Sequence, residues 1–104
     1  MLDKRTVRKI AEEYAEEVKK IIAPDAILIF GSYINGNPTN ESDIDIAIIV
    51  KDFKGDWLET ATKLCGLSRK VSFDIEPHLL DENHDRSGFV KHVIQTGEYI
   101  YRAA

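Results

Sequence analysis

The chain has 104 residues, 43% apolar and 31% charged, with a formal net charge of -4. Those values suit one domain over residues 1–104 and disfavour a nucleic-acid backbone as the main partner. One cysteine, Cys65, excludes an intramolecular disulfide and a cysteine zinc cluster, and no apolar run approaches the ~20 residues of a membrane span. With no signal peptide in sight, a cytoplasmic location is expected.

Residues 3–22 have the spacing of an amphipathic helix, with Val7, Ile10, Tyr14, Val18 and Ile21 on one side. Asp3 is its expected cap, Glu16 and Lys20 an i,i+4 pair, and Pro24 its stop. Residues 26–30, Ala-Ile-Leu-Ile-Phe, form an apolar run too short for a helix and suited to a strand buried on both faces. Residues 33–42 are polar and turn-rich, with a single helical turn expected near Tyr33. A second strand is expected over 43–50. A helix follows over 56–68, opened by a capping pair, Asp56 and Glu59. Cys65 on that helix reads as a buried thiol. Residues 71–77 alternate as a third strand, with Ser72, Asp74 and Glu76 on one face. A last helix over 86–96 ends at Gly97, and Tyr99-Ile100-Tyr101 forms a short extended tail. Counting the turn near Tyr33, the order is α-β-α-β-α-β-α: an α/β fold in which helices flank a small mixed sheet.

The chemistry concentrates where the first two strands meet. Asp43 and Asp45, two apart on a strand, share a face. At about 5 Å their like charges repel by roughly 3 kcal/mol at an effective dielectric of 20. No neighbouring Arg compensates them, so a hard divalent cation such as Mg²⁺ is the simplest counter-charge. Asp74 on the third strand supplies a third carboxylate, which permits two metal ions, and Glu76 on the same face is a weaker candidate. Gly31 lets backbone approach a ligand, and Ser32 offers a hydroxyl and an N–H to phosphate oxygens. Tyr33 stands beside them, suited equally to nucleotide contact and to packing. His78, His84 and His92 share no metal-ligand spacing and read as surface or loop residues.

Gly31-Ser32, a ten-residue gap, Asp43-Ile44-Asp45 and the later Asp74 resemble, in order and spacing, the minimal nucleotidyltransferases of the DNA polymerase β superfamily. The closing Gly97-Glu98-Tyr99-Ile100-Tyr101 is similar to that family's tail. The resemblance implies transfer of a nucleoside monophosphate, AMP from ATP above other NTPs, to an acceptor hydroxyl with release of pyrophosphate. Gly31, Ser32 and Tyr33 would then border the nucleotide, and Asp43, Asp45 and Asp74 would hold the Mg²⁺ ions. In the family such small members act as antitoxins beside a helical HEPN partner, and can modify a tyrosine of that partner. The loop places where the family commonly carries basic residues hold Tyr33 and Asn35, with Lys51 or Lys63 as substitutes. A catalytically weak module that binds nucleotide or masks a toxin is therefore the alternative. A second copy of the chain is the other partner considered.

Overall fold

The computed structural model describes residues 2–36 and 43–104. The expected turn-rich stretch over 37–42 lies outside them. Helix α1 spans Lys4–Val18 and buries Val7, Ala11, Tyr14, Ala15 and Val18. Its cap is as expected: the Asp3 carboxylate accepts the Thr6 N–H at 2.8 Å, satisfying one of the donors a helix start leaves unpaired. The helix ends earlier than Pro24 requires. Lys20 and Ile21 donate three residues back, to Glu17 and Val18, so the last turn tightens. That tightening replaces the expected Glu16–Lys20 pair with Lys19–Glu16 at 2.6 Å and Lys20–Glu17 at 2.8 Å.

Strand β1 is Ala26–Phe30, the helical turn α2 is Ser32–Asn35, and strand β2 is Ile44–Val50. Helix α3 spans Trp57–Val71, with the Asp56 carboxylate accepting the Glu59 N–H. Strand β3 runs Ile75–Asp81, a 3₁₀ turn covers Glu82–His84, helix α4 is Phe89–Thr96, and strand β4 is Glu98–Arg102. The order therefore gains a fourth strand: the expected tail pairs antiparallel with β1.

β3 corrects the expected 71–77. Arg69 and Lys70 favour the negative end of α3 and carry that helix to Val71, and Phe73 is 85% exposed between the two elements. The strand continues through Pro77, which the sequence reading takes as its end. It can do so because β3 lies at the sheet edge, in the order β3-β2-β1-β4. The Asp74 carbonyl accepts the Ile44 N–H, so strand alternation turns residues 74, 76 and 78 toward β2 and Pro77 toward the open edge. The last helix also starts later than expected. Gly88 adopts φ 78, and the Asp85 carboxylate reaches over it to accept the Val90 and Lys91 N–H groups, each at 3.0 Å.

The sheet is mixed, with β2 and β3 parallel and the other pairs antiparallel. β1 and β2 are central and buried on both faces, which explains their continuous apolar runs. One face packs Ile27, Ile29, Ile44, Ile46 and Ile48 against α1 and α3. Each such buried side chain contributes about 1.5–3 kcal/mol. Tyr14 ties the two helices together by donating its hydroxyl to the Leu64 carbonyl at 2.7 Å. Cys65, next along, is half-buried rather than buried. The other face packs Ala26, Leu28, Ala47 and Ile49 against Val90 and Val93 of α4. That helix has only eight residues. It packs on Ala26, Leu28, Ala47 and Ile49, and among the described residues the polar ones collect beyond them, at the β1–β2–β3 end of that face.

Candidate active site

Phe30, the last residue of β1, stands opposite Asp45 in the antiparallel register. The next residue, Gly31, adopts φ 81 and ψ -150, a backbone region that side chains rarely enter. A Cβ there would overlap Asp45 Oδ2 and lie 3.2 Å from its Cγ. The Gly-Ser bend is thus fitted onto the first strand-borne carboxylate. Ser32 then begins α2, whose Ile34 and Asn35 N–H groups bond back to the Gly31 carbonyl.

Asp43 is exposed at the mouth of β2, and Asp45 is half-buried. Parallel pairing sets Glu76 directly beside Asp45. His78, two residues further along β3, shares that face. Its Nε2 lies 3.3 Å from Asp45 Oδ1 and 4.0 Å from Glu76 Oε1. Ligand atoms of Asp45, Glu76 and His78 all lie within 4.8 Å of one another. The Glu76 side chain is 53% exposed, yet partial desolvation against its neighbours and the charges of Asp45 and Asp43 hold its carboxyl above the usual range, against a lowering by His78. Among the described residues no Lys or Arg forms an ion pair with Asp43, Asp45 or Glu76. A crowded carboxylate set with one imidazole and no resident cation fits a divalent metal ion.

The other expected residues stand apart. Asp74 precedes β3, is exposed, and turns its carboxylate toward the Ser72 hydroxyl at 3.5 Å, while its N–H bonds Ser72 Oγ at 3.1 Å. It is not one of the three converging residues. Tyr33 is only 5% exposed and packs in the α1-side core, its hydroxyl accepting the Leu2 N–H at 3.3 Å. Lys51 pairs with Glu82 beyond the far end of β2, six residues and about 20 Å of strand from Asp45. Lys63 pairs with Glu59 along α3, which covers the opposite face of the sheet. Neither replaces the missing basic loop residues.

His78 is the residue that sequence reasoning placed wrongly. Its signal is the i,i+2 spacing from Glu76, hidden once the strand is stopped at Pro77. The His78 ring meets the Phe30 ring edge-on, with centroids 5.1 Å apart, and Phe30 meets Phe89 at 5.7 Å. These rings wall the site on its α4 side. A cavity of about 730 Å³ lies beyond Phe89, between Phe53, Trp57, Leu80 and Arg86. Asp43, Asp45, Glu76 and His78 do not line it.

Residues 8–104 match the family model described as "Polymerase beta, Nucleotidyltransferase". A Methanocaldococcus jannaschii protein named "Putative protein adenylyltransferase" is 32% identical over 100 residues, covering 94% of this chain and 93% of that one. A crystal structure of a "putative nucleotidyltransferase" from Sulfolobus solfataricus superposes with a TM-score of 0.66 at 24% identity, over 93% of this chain and 81% of the other. A toxin–antitoxin crystal structure with AMP-PNP superposes with a TM-score of 0.58 at 25% identity, over 88% of this chain and 73% of the other. The first of these is similar in fold alone. The family match spans nearly the whole chain, so the protein belongs to the polymerase β-type nucleotidyltransferases and is an enzyme of that class.

Proposed function

We propose that this nucleotidyltransferase moves AMP from ATP to a hydroxyl of a partner protein, as the antitoxin half of a pair with a helical HEPN-type toxin. The observation that carries the reading is the seating of Gly31 on Asp45, with Glu76 alongside. It joins a close-approach bend to a carboxylate cluster, as a triphosphate with its metal requires. The adenylyltransferase name of the 32%-identical relative supports ATP and a protein acceptor. The toxin–antitoxin structure with AMP-PNP supports the partner class.

In this reading Asp43, Asp45 and Glu76 hold the Mg²⁺ ions, with Glu76 in the place expected for Asp74. Bound there, Mg²⁺ would neutralise charge on the triphosphate and on the attacking oxygen. Gly31 and Ser32 lie against the terminal phosphates. The acceptor oxygen bonds to the α-phosphorus, the bond to the bridging oxygen breaks, and pyrophosphate leaves. Glu76, beside Asp45, would take the acceptor's proton.

Incubation with α-labelled ATP, Mg²⁺ and a HEPN-type partner protein is expected to label that partner. Asp45→Asn and Glu76→Gln should each lower labelling by at least about 100-fold, and Asp74→Ala by far less. Absence of label with all four NTPs would sink the reading. The second reading, a module that masks its partner without transfer, is favoured by the absence of Lys and Arg ion pairs at the carboxylates among the described residues. It wins if Asp45→Asn neutralises the partner as well as the parent chain does.

A further inference from the structure

We propose that His78 is a metal ligand, and that its nitrogen turns the site from an all-oxygen Mg²⁺ site toward ions that accept imidazole, such as Co²⁺. The inference rests on the reading above, in which a divalent cation sits on Asp45 and Glu76. Its own evidence is geometric. Two ligands at right angles on an ion, each about 2.1 Å from it, stand about 3.0 Å apart, and opposed ligands about 4.2 Å apart. His78 Nε2 lies 3.3 Å from Asp45 Oδ1 and 4.0 Å from Glu76 Oε1. Both separations fall within that range, and ligand atoms of all three residues lie within 4.8 Å of one another, so side-chain rotation brings three donors onto one ion.

The fold prepares this arrangement. Glu76 precedes Pro77, and a residue before proline is held in extended backbone. Glu76 and His78 therefore project together from β3, with Asp45 beside Glu76 on β2. The Phe30 ring, edge-on at 5.1 Å, limits rotation of the imidazole. A histidine tethered in this way loses little freedom when it ligates. Carboxylate and water oxygens suit Mg²⁺, whereas imidazole suits later transition metals, which also bind more tightly to mixed nitrogen and oxygen sites. To ligate, Nε2 must be unprotonated, leaving the proton on Nδ1.

The test uses the full chain at mildly alkaline pH, with and without AMP-PNP. Co²⁺ binding is followed by proton NMR, and Co²⁺ and Mg²⁺ affinities by titration calorimetry. The parent chain should show an exchangeable imidazole N–H resonance shifted far outside the normal range by bound Co²⁺. His78→Asn and His78→Gln should both lack that resonance. In both, Co²⁺ affinity should fall at least about tenfold, since loss of an outer-sphere partner alone costs 10–100-fold. Mg²⁺ affinity should stay within about threefold, because Mg²⁺ readily takes a water oxygen instead. Thermal melts check that both variants fold, and the parent spectrum decides independently of them. If both ions bind and no shifted imidazole resonance appears, His78 is only a hydrogen-bond partner of Asp45. The proposal then fails and the metal reading stands. If neither ion binds, with or without AMP-PNP, both fail together.

Discussion

Gly31 and Asp45 act as one unit, although thirteen sequence positions separate them. Any side chain at Gly31 meets both a strained backbone and the Asp45 carboxylate. Gly31→Ala is therefore expected to destabilise the fold by about 1–3 kcal/mol. It should lower nucleotidyl transfer further, by about 100-fold, because the carboxylate must shift. Denaturant melts and labelled-ATP assays on the same preparation separate the two effects; equal activity in the variant would show that Asp45 is free to move. At this scale the meeting of Gly31 with Asp45 is legible in the sequence, since their spacing crosses a single strand-to-strand connection. The sequence is a poor guide to Tyr33. A tyrosine beside a polar loop suits solvent and core equally, and only the position of α1 shows that the ring is buried.

The elements tell a similar story, and β3 is the informative case. Alternation from Val71 to Glu76 imitates a strand, yet Val71 belongs to α3 and Phe73 to the connection. Local pattern cannot say where a helix with favourable last-turn charges gives way, nor that an edge position will admit Pro77. That ambiguity favours Asp74 over Glu76 as the carboxylate beside Asp45 and hides His78, whereas Glu76 and His78 are the residues that converge on it. The far end of β3 carries a different device. Asp81 is buried to 8% exposure and accepts N–H groups from Asp52, Phe53 and Asn83, holding the β2–α3 connection to the strand. Burial acts to raise its pKa, but the Phe53, Asn83 and Asp52 N–H groups outweigh it, and the carboxyl is held below its usual range. Its contribution to stability is then complete above the unfolded value of about 3.9 and is lost as pH falls through the folded one. Asp81→Asn should melt at a lower temperature than the parent above about pH 5, and the gap should narrow toward pH 3. A constant gap in melts across that range would contradict this account.

Across the whole molecule, the two faces of the sheet divide the labour. α1 and α3 pack on the isoleucines of one face, while among the described residues short α4 packs on the other beside the carboxylate end and not over it. α1 is also tied to the far edge, where Arg8 meets Glu98 of β4 at 2.9 Å. No helix among the described residues is long and apolar enough to cross a membrane.

β3, which carries Glu76 and His78, is itself an edge, with no strand beyond it among the described residues. Bare edges invite another chain to add a strand, and such an addition would run alongside the very residues that carry Glu76 and His78. Pro77 offers no N–H on that open side, so an incoming strand finds a gap in its ladder midway between Glu76 and His78. Pro77→Val restores the donor. It should leave the fold intact and promote self-association, read by sedimentation velocity against the parent chain; an unchanged profile would dismiss the idea. On this view the proline acts as a guard. At this edge it favours a partner that approaches the site by side chains, a helix or a loop over one that adds a strand.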